Sequence, residues 1–441
     1  MQQVNLGIIG GGTVGSGVFH ALQLNGALLA SRIGVKVNLR KIAVKAFDEP
    51  RPYPIPHALM TTDWRRLVND PAVQIVAELA GGTTIAREMI LTALRLGKPV
   101  VTANKALLSA HGEELFEAAA QNGTNLYYEA SVCGGIPIIK ALREGFAGNR
   151  ITHLYGIVNG TCNYILTRMK LEGADFDAVL KDAQKQGFAE TPPDLDIDGW
   201  DSQHKIGILA SLAHGFWVNP KHIHVEGIRD VTALDMQFAN QLGYTIKLLG
   251  IIKQVPARGP KAKNGSRIQV SVYPTLIPNS HVLASVNHVF NAVFVRGDVV
   301  GDTLFYGRGA GKDATASAVL GDLADAALDL KFSSHGRVPP FVPHERDGAV
   351  VSMDEVVSRY FVRLNVVDRP GVLAKIAAIL AAAKIGISSV IQPEGHEGES
   401  VPLILMIHDA PNAALRKALE KIARLDAVKT PPVMLRVESF E

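Results

Sequence analysis

Leu6 to Gln23, LGIIGGGTVGSGVFHALQ, decides how the first part of this chain folds. A short apolar run ends in a cluster of glycines, and a helical pattern follows at once. Gly10, Gly12 and Gly15 stand at G-x-G-x-x-G spacing. Between a strand and a helix each glycine has a mechanical use. Gly10 permits a tight turn, Gly12 lets backbone approach a pyrophosphate, and Gly15 lets the helix close on the strand. The bare N–H groups at the helix start, with Thr13 and Val14 in its first turn, favour an anion. The spacing alone is a weak signal; its strand-to-helix context predicts a dinucleotide-binding turn.

Outward from that turn the same rhythm continues. The runs VNLRKIAVKA (37–46), VQIVAEL (73–79), KPVVTA (98–103) and TNLYYE (124–129) are short, β-rich and nearly continuous, as strands buried on both faces should be. Helical patterns separate several of them, as in Gly112 to Gln121. This predicts an α/β fold with a Rossmann-type, doubly wound parallel sheet over 1–128. The second strand should end at the residue that reads the adenine ribose. Lys45 near its tip favours NADP, and Asp48, three residues on, keeps NAD possible.

An α+β catalytic and dimerisation domain is expected over 129–338. It mixes helices (Asn163 to Lys170, Asp175 to Gln186, Asp201 to His214) with alternating strands such as SRIQVSVYPTLI (266–277). The basic loop VPARGPKAKNGSR (255–267) should face water. A long helix near 314–330 is expected to pack back on the first domain. Proline-rich residues 339–355 read as a linker. From 356 to 441 the order βαββαβ predicts a ferredoxin-like module, with PGVLAKIAAILAAAKIG (370–386) as its first helix. A chain cut near Asp347 should then lose only that module.

Composition excludes several classes. The 441 residues are 47% hydrophobic with a net charge of +3, which gives no nucleic-acid footprint. The first charged side chain is Arg32, but glycines crowd the segment before it, so neither signal peptide nor membrane span is expected. Cys133 and Cys162 form no staple pattern, and a cytoplasmic location is expected.

Two lysines and a carboxylate cluster carry the chemistry. Lys105 stands just past a strand, where open α/β sheets place ligands. In the helix from Asp201 to His214, Lys205 shares a stripe with Asp201, Ile208, Leu209 and Leu212. A lysine on an apolar face is either snorkelling or functional. Burial pushes its pKa down and neighbouring aspartates push it up, so balance between them would allow proton exchange near neutral pH. DLDIDG (194–199) imitates the first half of a calcium loop, but the twelfth position is Lys205 where the loop needs Glu, and Pro192 and Pro193 oppose a helix leading in. His222 and His224 lack a zinc-type ligand set.

Taken together, IIGGGTVGSGV, ELAGG, VTANKALL, EASVCGGIPII, GIVNGTCNYIL, GFAETPPDLDIDGWDSQHKIGILA and FYGRGAGKDATASAV resemble the bacterial homoserine dehydrogenase family, and DRPGVLAKIA resembles its ACT module. The likeness runs nearly end to end. It implies interconversion of L-homoserine and L-aspartate 4-semialdehyde with NADP or NAD, in threonine, methionine and isoleucine biosynthesis. By motif position Lys205 is the acid/base and Lys105 the second lysine, near substrate and cofactor. Glu190 is the carboxylate that holds the substrate ammonium, and Asp201 the one beside the catalytic lysine. Gly187 and Gly307 are contacts of the cofactor, Gly187 of the substrate as well. Glu129, Val132, Gly134 and Ile136 match a monovalent-cation loop, sodium by analogy, with backbone carbonyls as most of its ligands. Asp368, Pro370 and Gly371 would line a regulatory site for threonine as inhibitor, and two dimer surfaces would make a homodimer or homotetramer. Pro192 replaces an acid common in the family. Roles for Asp194, Asp196 and Asp198 stay open. The rival readings are an oxidoreductase for another small amino-acid aldehyde and a non-enzymatic nucleotide and amino-acid sensor.

Overall fold

The computed structural model describes residues 1–256, 266–394, 396 and 398–440. The basic loop expected to face water lies almost wholly outside them. In the first part the elements are β1 (Gln2–Ile9), α1 (Thr13–Ile33), β2 (Val35–Ala43), β3 (Met60–Thr61), α2 (Trp64–Asn69), β4 (Ile75–Glu78), α3 (Ile85–Arg95), β5 (Val100–Thr102), α4 (Lys105–Gln121) and β6 (Leu126–Tyr127). All six strands are parallel, in the order β3-β2-β1-β4-β5-β6. The order reverses between β1 and β4, so the crevice for a dinucleotide opens at the ends of these two strands.

The second part continues with α5 (Ile138–Lys140), β7 (Ile151–Ile157), α6 (Gly160–Glu172), α7 (Phe176–Lys185), α8 (Asp194–Ile197), α9 (Trp200–His214), β8 (His224–Val225), α10 (Ala233–Gln241), β9 (Tyr244–Gln254), β10 (Arg267–Pro278), β11 (Phe290–Gly297), β12 (Gly301–Arg308) and α11 (Lys312–Phe332). Helix α11 returns to the first sheet. Its Ala316, Val319, Leu323, Ala326 and Ala327 share a core with Val4, Leu6, Ile8 and Val18. Gly17 of α1 lets the two helices touch, because a Cβ there would meet the Lys312 carbonyl at 2.9 Å.

The last part is β13 (Ala349–Val350), β14 (Val357–Val367), α12 (Val372–Ala382), β15 (Ile387–Ile391), β16 (Ser400–Pro411), α13 (Asn412–Ile422) and β17 (Val433–Val437). Its four main strands do not form a separate sheet. β17 pairs in parallel with β10, and one sheet runs β12-β11-β7-β9-β10-β17-β14-β16-β15 through both regions. Long-range ion pairs fasten the seam. The Arg436 guanidinium, 1% exposed, meets Glu226 at 2.7 Å, and Arg363 meets the fully buried Asp235 at 2.6 Å. Phe440 stacks on His281 at 3.6 Å.

The proline-rich stretch read as a linker is packed against the rest of the chain. Asn125 Nδ2 donates to the His335 and Val338 carbonyls, Tyr128 Oη to the Pro340 carbonyl at 2.6 Å, and Phe341 packs against Phe116 and Trp217. Backbone that proline bars from helix or sheet is satisfied here by these side-chain donors and, from the second region, by Arg143, which donates to the Val338 and Pro339 carbonyls. The C-terminal module, for its part, is tied to the catalytic region through the shared sheet and the Arg436–Glu226 and Arg363–Asp235 ion pairs. A cut at Asp347 would leave the buried Asp235 without Arg363 and bare part of one edge of β10, and an unpaired buried charge is strongly destabilising.

Candidate active site

Helix α9 was expected to bury a single stripe. It is buried on nearly every side instead, with Asp201, Ser202, Gln203, Lys205, Ile206, Gly207, Ile208, Leu209, Ala210 and Ser211 all in the interior. It runs against both α4 and the second sheet, so Lys205 has no route along which to snorkel. Its residue is 6% exposed.

The Lys205 ammonium has three N–H groups. One donates to the Val158 carbonyl at 2.6 Å and another to Asp201 Oδ2 at 2.7 Å. The third has no partner among the described residues. The other Asp201 oxygen, Oδ1, lies 2.8 Å from the Nζ of Lys105. Lys105 is the first residue of α4, where a positive charge opposes the helix dipole. The fold accepts that cost and aims Lys105 at a buried carboxylate. Burial lowers the pKa of Lys205, but the Asp201 charge, with Cys133 and Asp196 farther off, outweighs it and the net direction is upward. The expected balance near neutrality is therefore not found, because the net direction favours the charged ammonium. Burial raises the pKa of Asp201, but Lys205 and Lys105 overcome it and hold the carboxyl far below its ordinary range.

The three aspartates of DLDIDG separate by direction. Residues 194–197 form one helical turn, not a loop. Asp194 and Asp198 face outward and pair with Arg229. Asp196 faces inward and accepts from Asn159 Nδ2 at 2.7 Å and from Thr161 Oγ1 at 3.0 Å. Helical geometry puts residues two apart on different faces, which a reading of the acidic run as a unit could not resolve. Among the described residues no group of three potential ligands surrounds a metal position. His224 pairs with Glu226 at 2.6 Å.

Thr161 also donates to the Phe188 carbonyl at 2.7 Å and so anchors the loop after α7 to this cluster. Gly187, at φ +75°, precedes that anchor with open space where a side chain would stand. Glu190 is exposed, two residues past it, and its carboxylate has no partner among the described residues. The structure thus brings Lys105, Asp201 and Lys205 together and leaves Glu190 outside their contacts. The free thiols Cys133 and Cys162 are buried, and burial pushes the first up to about 11 and the second well above its ordinary value.

At the dinucleotide crevice Gly10 adopts φ +101°, and a Cβ at Gly15 would lie 1.8 Å from the Gly10 carbonyl. Gly12 faces open space, and no side chain caps α1. The first N–H groups of α1, beside Thr13 and Val14, are free for a phosphate, so the turn fits a dinucleotide. Lys45 is exposed two residues past the end of β2, and Asp48 is exposed five residues past it. Arg51 holds the carbonyls of Ala46, Phe47 and Glu49, and its Nε lies 3.5 Å from where a Gly11 Cβ would be.

Sequence reasoning gave no role to Glu78, the last residue of β4. It is fully buried and accepts from the Ala80 and Gly81 N–H groups, Thr102 Oγ1 and Asn104 Nδ2. Asn104 in turn caps α4, so Glu78 fixes the helix start that carries Lys105.

Around 129–136, Cys133 (φ +55°) and Gly134 (φ +46°) turn the chain against Gly309, whose carbonyl a Gly134 Cβ would meet at 2.7 Å. Gly307 lies beside Ile136. The Glu129 carboxylate accepts the Ile139 and Lys140 N–H groups at 2.9 and 2.7 Å, and burial pushes its pKa up to about 7. Its side chain is therefore occupied. The Val132 and Gly134 carbonyls accept no hydrogen bond among the described residues. In the C-terminal region Asp368, Pro370 and Gly371 line a depression of about 450 Å³ with Arg369 and Gln392.

Comparison with known proteins finds three family models: "Homoserine dehydrogenase, NAD binding domain" over 10–129, "Homoserine dehydrogenase" over 137–324, and "ACT domain" over 360–425. A homoserine dehydrogenase of Pseudomonas aeruginosa is 41% identical, over 100% of both chains. The crystal structure of a homoserine dehydrogenase from Thiobacillus denitrificans superposes with a TM-score of 0.92 at 41% identity, covering 100% of this chain and 99% of that one. A hyperthermophilic archaeal homoserine dehydrogenase in complex with NADPH gives a TM-score of 0.61 at 27% identity, over 74% of this chain and 98% of that one.

Proposed function

The chain belongs to the homoserine dehydrogenase family, and from that premise we propose how its residues carry the interconversion of L-homoserine and L-aspartate 4-semialdehyde. The bound nicotinamide dinucleotide supplies or accepts the hydride at the carbon bearing the oxygen. In reduction, negative charge develops on that oxygen, and the third N–H of Lys205 donates a proton to it. In oxidation Lys205 must first be neutral, and it then takes the hydroxyl proton. Asp201 keeps the ammonium oriented and charged, and Lys105 adds a second positive group near substrate and nicotinamide. Glu190 receives the substrate ammonium once the loop from Gly187 closes over it, and Gly187 and Gly307 leave room for the cofactor. In a dry pocket these charges act far more strongly than in water.

The observation that carries this reading is the buried Lys205 ammonium, with two donors committed and one free. A substrate panel followed by nicotinamide absorbance tests it. Turnover of other amino-acid aldehydes but not of homoserine and its semialdehyde would overturn it.

Lys45, with Arg51 ordering the loop behind it, favours NADP over NAD. The free Val132 and Gly134 carbonyls, with those of Glu129 and Ile136 beside them, suit a monovalent cation, which we take as sodium; it would stiffen the turn against Gly307. The Asp368–Gly371 depression is assigned to threonine as feedback inhibitor, in a homo-oligomer of the cytoplasm. Initial rates with each cofactor, with and without threonine and sodium, test these assignments together. Equal use of both cofactors would remove the first. Insensitivity to sodium or to threonine would remove the corresponding site.

A further inference from the structure

Asn159 lies at the junction of β7 and α6 and is 5% exposed. Its Oδ1 caps α6 by accepting the Cys162 N–H at 2.8 Å. Its Nδ2 reaches Asp196 Oδ1 at 2.7 Å and Asp201 Oδ2 at 2.9 Å. Cap and carboxylates together use the acceptor and both N–H donors, and the amide cannot turn without breaking all three contacts. The preceding residue contributes as well, since the Val158 carbonyl accepts from Lys205. One dipeptide therefore sets the position of the lysine and of the two carboxylates nearest it, which come from separate helices, α8 and α9.

The choice of an amide is informative. A cation here would neutralise the carboxylates and weaken their hold on Lys205. A carboxylate would repel both. A neutral group with two donors joins Asp196 and Asp201 without altering their charge. A helix cap needs none of this, because Ser would cap α6 equally well.

We propose that Asn159 is a positioning residue for the proton transfer, a two-pronged spacer that holds Asp196 and Asp201 at a fixed separation around Lys205. The inference rests on Lys205 as the proton donor. Asn159→Ser keeps an oxygen for the cap and removes both donations. Asn159→Asp keeps the cap and the shape but sets a third carboxylate beside the other two.

The test measures kcat, KM for both substrates and the pH dependence of homoserine oxidation for these variants, with Lys205→Ala alongside. Asn159→Ser should lower kcat by about 10- to 100-fold, the loss of hydrogen bonds to a charged group. Its KM for the nucleotide and its melting temperature should stay near wild type. In Asn159→Asp the added negative charge should carry the alkaline rise of the oxidation rate to higher pH. A purely structural cap would leave kcat near wild type in the folded Asn159→Ser enzyme. Wild-type kcat in Asn159→Ser, or an unshifted limb in a folded Asn159→Asp, overturns the proposal. An active Lys205→Ala would instead overturn the assignment beneath it.

Discussion

Among the described residues two lysines are buried, Lys205 and Lys247, and they are opposites. Lys205 has a carboxylate at 2.7 Å, and its pKa is raised. Lys247 of β9 is 1% exposed and meets only neutral acceptors: Asn163 Oδ1 at 2.9 Å, the Val286 carbonyl at 2.5 Å and Asn287 Oδ1 at 3.2 Å. Burial, aided by Lys170, pushes its pKa down to about 7. Helix α6 serves both, with Asn159 toward the carboxylates and Asn163, one turn on, toward Lys247. Burial alone therefore does not decide the charge of a lysine. What matters is whether a carboxylate keeps its charge, and whether a donor is left over for a substrate.

The most severe way to break the comparison is to remove the charged lysine. Lys205→Ala should fold and lose ~10²–10⁴-fold in kcat, the range for general acid–base catalysis. Steady-state rates in both directions check this, and near-normal turnover would refute it. A milder change makes Lys205 resemble Lys247. In Asp201→Asn burial prevails, so the pKa of Lys205 should fall and the alkaline rise of homoserine oxidation should move to lower pH. A drop of about 10- to 100-fold in semialdehyde reduction should accompany it, as expected for a lost charge-assisted hydrogen bond. A limb that moves upward would show that Asp201 does not set the charge.

The smallest catalytic effect is expected at Lys247. Lys247→Met should leave kcat unchanged and alter stability instead. The folded pKa of about 7 lies below the ordinary 10.5. Between those values the unfolded chain binds more protons, so this group makes stability rise with pH across that window. Melting temperatures of wild type and variant from pH 6.5 to 10.5 should therefore differ in slope, with the steeper rise in wild type. Identical slopes would mean that Lys247 stays charged in the fold.

The stretch DLDIDGWDSQHK shows how far the sequence can be read. The i, i+4 spacing of Asp201 and Lys205 is a local fact, and it survives folding as a 2.7 Å contact. The spacing of Asp194, Asp196 and Asp198 is just as local, yet their fates depend on Arg229, Asn159 and Thr161, which lie far away along the chain. Glu190 illustrates a third case: its motif position is legible, but its carboxylate has no partner among the described residues. Glu78 opens the ELAGG stretch, yet its role could not be read there, since a lone acid at a strand end looks like any other.

The sequence by itself determined the glycine turn, the parallel rhythm around it, the βαββαβ order and the pairing of Asp201 with Lys205. All of these are set by periods of two to four residues, which the chain carries locally. Tertiary structure alone decided the charge of Lys205, the division of labour among the aspartates, the strapping of the proline-rich stretch and the joining of β17 to β10. Each of these depends on which distant group comes to lie within about 3 Å, the range of a hydrogen bond. No local pattern encodes that meeting.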